Sequence, residues 1–128
     1  MREGERMVVR KRVYDAYESS DGYRVLVDRL WPRGLSKEKA HVDSWPKEIS
    51  PSTELRKWYE HDPEKWPEFQ RRFKEELSSP EAKAALDDIV RRAKRGRVTL
   101  LYSSHAGDIS NAAVLESLLN RRVRAAKS

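Results

Sequence analysis

The sequence predicts an α/β domain, with a short, mostly parallel sheet of about three strands covered by helices in a small three-layer-like arrangement. Two apolar runs, Val25-Leu26-Val27 and Val98-Thr99-Leu100-Leu101-Tyr102, do not alternate with polar residues, as expected of strands covered on both faces. Residues 35–96 between them carry helical periodicity and helix punctuation, and a long helical crossover suits parallel pairing. A chain of 128 residues fits one domain, taken as 1–128 with 1–6 and 124–128 as tails.

The elements follow in order. Met7 to Tyr14 reads as a first strand, broken by basic residues. Only about eight residues separate it from the second strand, too few for an ordinary parallel crossover, so its direction is left open. Ser50 and Pro51 suggest a helix start ahead of Leu55, Trp58 and Tyr59. Asp62 and Pro63 suggest another ahead of Trp66, Phe69, Phe73 and Leu77, with Pro67 blurring the first turn. Ser79, Pro80 and Gly96 bracket the clearest helix, whose face is Ala82, Ala85, Leu86, Ile89, Val90 and Ala93. Asp108 or Ser110 caps a last helix with Ala112, Leu115, Leu118 and Leu119.

Composition excludes several classes. There is no cysteine, so no disulfide framework and no thiolate chemistry. No apolar run approaches the ~20 residues of a membrane span, and Met7-Val8-Val9 is too short for a signal-peptide core. A cytoplasmic protein with no membrane partner is the expectation. The charged fraction of 38% with one Gln and two Asn fits a thermophilic source. His41, His61 and His105 fall in no metal-ligand spacing, and neither a Walker loop nor a dinucleotide fingerprint is present, so no metal or cofactor is expected.

The net charge of +6 is uneven, with +5 in residues 89–97, +4 in residues 121–128 and −3 in residues 54–88. The bases of residues 91–95 complement a helix C-terminal dipole, and no aromatic residues interleave with them. They also fit a phosphate-binding surface. A nucleic-acid-binding or regulatory module using these clusters is therefore the alternative reading. A protein-binding surface built on exposed Trp45, Trp58 and Trp66 is a third.

Ligands of open α/β sheets bind outside the strand C-terminal ends. Parallel second and third strands would bring Asp28-Arg29-Leu30-Trp31-Pro32-Arg33-Gly34 and Ser103-Ser104-His105-Ala106-Gly107-Asp108 together over one crevice. These types suit an anionic or phosphate-bearing small molecule. Arg29 and Arg33 would fork onto it, Ser103, His105 and Asn111 would line the opposite wall, Ser104 would offer a further hydroxyl, and Trp31 and Tyr14 would wall the pocket. Asp28 would orient Arg29 or act as base, and His105 would act as acid or base. The bland reading has Asp28–Arg29 as a structural ion pair, the serines satisfying loop backbone, and Asn111 pinning loop to helix. No nucleophile stands out; for an enzyme, hydrolysis or group transfer would fit best.

KRVYDAYESSDGYRVLVDRLWPRGLSKEKA, SPSTELRKWYEHDPEKWPEF and TLLYSSHAGDISNAAVL, in that order, resemble the domain-of-unknown-function 488 (DUF488) family and its short YeaO-like members. The likeness runs from about Val9 to Leu119, and VDRLWPRG is its most distinctive block. It implies a small cytoplasmic α/β domain and no particular activity. The pattern matches at Tyr14, Asp15, Asp28, Arg29, Trp31, Pro32, Arg33, Gly34, Leu101, Tyr102 and Asn111. It departs at His105, where Lys or Arg is usual, at Ala106, where an acid or amide is usual, and at Ala112, where His or Gln is usual. The resemblance therefore implies a positive or hydrogen-bonding role at His105 rather than shared acid–base chemistry.

Overall fold

Three strands, β1 (Val8–Arg12), β2 (Tyr23–Leu26) and β3 (Val98–Tyr102), form one all-parallel sheet in the order β1-β3-β2. The computed structural model describes residues 7–127. Val8 pairs with Val98 on one side of β3, and Tyr23 pairs with Val98 on the other. The first strand is thus parallel, although its link to β2 is short. The short link suffices because β1 and β2 are not neighbours: residues 13–22 cross the face of β3 and return to the N-terminal rim. Hydrogen bonds from Thr99 Oγ1 to Asp21 O (2.7 Å) and from Tyr23 N to Arg97 O (3.1 Å) hold this crossing down.

The two faces are covered differently. Val8, Val25, Val27, Val98, Leu100 and Tyr102 belong to the main core with the helices α2 (Thr53–Tyr59), α3 (Trp66–Glu76), α4 (Pro80–Ala93) and α5 (Asn111–Lys127). The opposite face carries a smaller cluster of Val13, Leu26 and Leu101 under Trp31, Leu35, Val42 and Trp45. Its cover is mostly loop, with the single-turn α1 (Lys37–Ala40) as its helix. Trp31 and Trp45 meet edge-on at 5.5 Å and donate to the carbonyls of Leu35 and Asp28. Trp58 and Trp66 pack against the main core. Trp45, Trp58 and Trp66 are all partly buried.

Local chemistry explains the helix starts. Ser79 Oγ accepts from Ala82 N at 3.1 Å ahead of Pro80, as read from the sequence. That helix ends at Ala93, three residues short of Gly96. The cap of α2 is Ser52 rather than Ser50. Ser52 Oγ accepts from Leu55 N, while the Glu76 carboxylate accepts from both Ser52 N (2.8 Å) and Ser52 Oγ (2.6 Å), tying the start of α2 to the end of α3. Ser50 instead closes the 3-10 turn Lys47–Ile49 by donating to Lys47 O. Pro67 sits in the first turn of α3, where no intrahelical donor is required. Ser110 Oγ accepts from Ala113 N, so Ser110 rather than Asp108 serves the start of α5. Residues 124–127, expected as a tail, continue α5, while 1–6 and 128 lie outside the described residues.

A buried ionic cluster fastens the loop-covered face. Arg24 is 1% exposed; its guanidinium pairs with Asp21 and donates to the carbonyls of His41 (3.0 Å) and Ala40 (2.9 Å). Lys11 Nζ lies 3.1 Å from both Asp21 carboxylate oxygens. Among the described residues no buried side-chain nitrogen or oxygen lacks a partner. Burial pushes the Asp21 carboxyl up, but hydrogen bonds from Lys11, the Glu18 backbone and Arg24 outweigh it and the net shift is downward. A carboxylate with a depressed folded pKa stabilises the fold above its unfolded pKa of about 3.9, and the contribution is lost as pH falls through the folded pKa. Asp21→Asn should therefore lower stability at pH 7 by about 3–5 kcal/mol, the range for breaking a buried ion pair. The gap between wild type and variant should narrow below about pH 4. Urea unfolding at pH 7 and at pH 3 measures both effects.

Candidate functional site

The parallel sheet puts the segments after β2 and β3 on the same rim, and Asp28 joins them. One Asp28 carboxylate oxygen accepts from both Ser103 N and Ser103 Oγ at 2.9 Å; the other lies 3.4 Å from Asn111 Nδ2. Asn111 Nδ2 also donates to Val27 O at 2.9 Å. The same rim is held from β1, where Arg12 donates to Ser104 O (3.1 Å) and Ser103 O (2.8 Å) and lies 5.3 Å from the Tyr14 ring. Tyr14 in turn donates its hydroxyl to Arg33 O at 2.9 Å.

Beside this junction lies a cleft of about 530 Å³. It is lined by Tyr14, the run Asp28 to Arg33, Pro51, Ser103, Ser104, Asn111 and Phe69, together with Arg56, Lys57, Tyr59, Glu60 and His61 from the end of α2. Of the residues singled out in the sequence, Asp28, Arg29, Trp31, Arg33, Ser103, Ser104, Asn111 and Tyr14 meet here. His105 does not: it is exposed and outside the lining, in a loop where Ser104 Oγ accepts from Ala106 N.

The roles of the charged groups differ from simple expectation. Asp28 and Arg29 diverge and form no ion pair with each other. Arg29 Nε donates to Pro51 O (3.0 Å) and its Nη2 to Ser50 O (3.3 Å), so its guanidinium anchors the approach to α2 and is only partly available to a ligand. Asp28 is occupied by Ser103 and Asn111, which makes it a junction rather than a free base. Trp31 is partly buried with its indole N–H bonded to Leu35 O, which leaves it as wall.

Arg33 is exposed and its guanidinium makes no hydrogen bond or ion pair among the described residues. The same holds for Arg56 and Lys57. The cleft therefore carries four cations, Arg29, Arg33, Arg56 and Lys57, against the two carboxylates Asp28 and Glu60. Tyr59, 2% exposed, donates to Ile109 O at 2.6 Å. Burial, followed by the nearby Asp62 charge, pushes its hydroxyl up to about 12, so it stays a neutral donor bracing α2 against the approach to α5.

Arg56, Lys57, Glu60 and His61 are the site residues that sequence reading missed. Glu60 (φ 49°) and His61 (φ 58°) both adopt left-handed backbone, which ends α2 abruptly and leaves its last turn at the cleft edge. Nothing local signals this, since neither residue is Gly or Asn. The one available signal is that YEHDP lies inside SPSTELRKWYEHDPEKWPEF, one of the three stretches that carry the family resemblance. No group of three or more metal-ligating side chains is found among the described residues.

These features define a class: a small α/β domain with three parallel strands and a cationic cleft on the strand C-terminal rim. The chain belongs to the DUF488 family; residues 7–128 match the group described as the inactive DUF488-N3 subclade. It is 46% identical over 110 residues to the uncharacterized protein YeaO of Escherichia coli strain K12, covering 85% of this chain and 93% of that one. It is 44% identical over 111 residues to the uncharacterized protein Rv3073c of Mycobacterium tuberculosis, covering 87% and 92%. No solved structure matches the chain significantly.

Asp28→Ala should destabilise the fold by about 1–3 kcal/mol, because it strands the Ser103 amide and hydroxyl. Asp28→Asn should lose less, since an amide oxygen still accepts from Ser103 N. Midpoints of urea unfolding for the two variants give the comparison.

Proposed function

We propose that the chain binds an anionic, phosphate-bearing small molecule in the strand-end cleft, in the cytoplasm, and that it binds this ligand without turning it over. The observation that carries the reading is the set of three unpaired cations, Arg33, Arg56 and Lys57, around one 530 Å³ cleft. An Arg fork matches a carboxylate or phosphate, and a Lys adds a point charge. Tyr14 fixes the backbone of Arg33 while leaving its side chain to reach, and Arg29 contributes charge from a fixed position. The apolar wall of Trp31, Tyr59 and Phe69 accommodates the rest of the ligand.

Three facts favour binding over catalysis. Asp28 is engaged by Ser103 and Asn111, the Tyr59 hydroxyl is held by Ile109 O, and His105 stands outside the cleft. Ser103 Oγ donates to the carboxylate oxygen that also takes its own amide, an arrangement that shapes a loop rather than arms a nucleophile. The description of the matched family as an inactive subclade points the same way.

Thermal unfolding with inorganic phosphate, sugar phosphates and mononucleotides tests the reading. A ligand at 100 times its Kd stabilises by about 2.7 kcal/mol, which raises the Tm by several degrees. The shift should fall by at least half in Arg33→Ala and in Arg56→Ala. Equal shifts in wild type and Arg33→Ala would remove Arg33 from the site, and no shift with any phosphate compound would remove the proposal. Steady release of phosphate from a sugar phosphate or nucleotide would overturn the claim of binding without turnover.

A further inference from the structure

The rim opposite the cleft carries a second, separate charged feature. Strand N-terminal ends meet there, and both α4 and α5 run down to it. The position of α5 is fixed by Asn120, whose side-chain amide donates to Val8 O (2.8 Å) and whose oxygen accepts from Val8 N (3.1 Å). Residues 121–125 therefore lie at or beyond the start of β1. The position of the α4 end is fixed by the immediate entry of residues 94–97 into β3, where Arg97 O accepts from Tyr23 N. Arg122 bridges the two helices through Asp87 at 2.6 Å. Packed helices stand about 8–10 Å apart. The two basic stretches, separate in sequence, thus share one pole of the molecule.

Many of these cations are uncommitted. Lys94, Arg95, Arg97, Arg121 and Arg124 are exposed and form no ion pair among the described residues. Asp88 neutralises part of the charge of Arg91 (3.5 Å) and Arg92 (3.0 Å), and Arg92 lies 4.0 Å from the centroid of the Tyr23 ring. The helix C-terminal dipoles favour cations here. They do not account for Arg97, which follows the helix.

We propose that this pole binds the phosphate backbone of double-stranded nucleic acid, independently of the cleft. Four of its five uncommitted cations are arginines, whose planar fork suits phosphate. A duplex presents one negative charge per ~1.7 Å of axis, so a strip of dispersed cations meets several phosphates at once. Single strands fit less well, since the one aromatic ring identified at the pole, Tyr23, is covered by Arg92 and offers no open stacking platform. A membrane surface also fits less well. The exposed large apolar residues among those described are Tyr14, Tyr17 and Leu30, and none of them belongs to the segments forming this pole. With no side chain placed to read bases, binding is blind to sequence.

Fluorescence anisotropy of a labelled duplex of roughly 20 base pairs, titrated between about 50 and 200 mM salt, tests the proposal. Wild type should bind with a log–log salt slope of about −4.5 if the five cations engage, since each phosphate contact contributes about −0.9. The double variant Arg95→Ala, Arg121→Ala should bind more weakly, with the slope reduced by about 1.8. Both positions are exposed, so an unchanged Tm verifies that the fold survives. A charge-matched control, Lys37→Ala with Lys39→Ala on α1, should bind like wild type. Absence of duplex binding at the lowest salt, equal loss in the control, or binding to phosphatidylserine vesicles in place of duplex would each overturn it.

Discussion

Parallel pairing of β3 with both neighbours is the constraint from which the rest follows. It places all three strand C-terminal ends on one rim and all three N-terminal ends on the other. The helix that leads into β3, α4, then ends at the second rim, and α5, which follows β3, runs back to it. Polar loop residues collect where strands end, and basic residues collect where helices end. Asp28 turns the shared rim into a built junction, because its carboxylate fastens the chain after β2 to Ser103 at the end of β3 and to Asn111 at the start of α5. Arg12 does the same from β1. The cleft beside them is held by all three strands.

The unequal cover of the two faces explains the buried charge. Four helices pack one face and supply most of the core. The other face has a few apolar residues, loops and one helical turn, and loops carry backbone carbonyls that must be satisfied. Arg24 satisfies two of these carbonyls with one side chain, and Asp21, which also pairs with Lys11, balances its charge. A buried guanidinium is an expensive fastener unless every partner is present. Here it draws together β2, the crossing segment 13–22 and the end of α1.

Much of the architecture was legible from the chain because its signals are local. The apolar run Val98 to Tyr102 is buried throughout, and Ser79-Pro80 starts a helix as its chemistry dictates. The direction of β1 was not legible, since it depends on β3 inserting between β1 and β2, a choice made about 85 residues later in the chain. The choice of Ser52 over Ser50 was likewise settled by a distant residue, Glu76. At the site, the two loops after β2 and β3 could be named from turn-rich polarity. The contribution of α2 could not, because it rests on left-handed backbone at Glu60 and His61 that no residue type announces. Adjacent side chains also misled: Asp28 and Arg29 suggested a pair, yet the chain bends there and the two reach different partners.

The margins of the sheet carry a consequence of their own. Along β2, Leu26 N donates to Ser44 O and the amides of Asp43 and Ser44 donate to Arg24 O, so the chain's own return segment occupies the outer ladder. Along β1, the Asn120 amide occupies Val8, and Arg10, Lys11 and Arg12 follow in succession. Neither border presents an open, uncharged row of donors and acceptors to a stray strand. A three-stranded sheet is thereby protected from growing into a neighbour's, and fibrillar self-assembly would first require peeling away residues 43–44 or the end of α5.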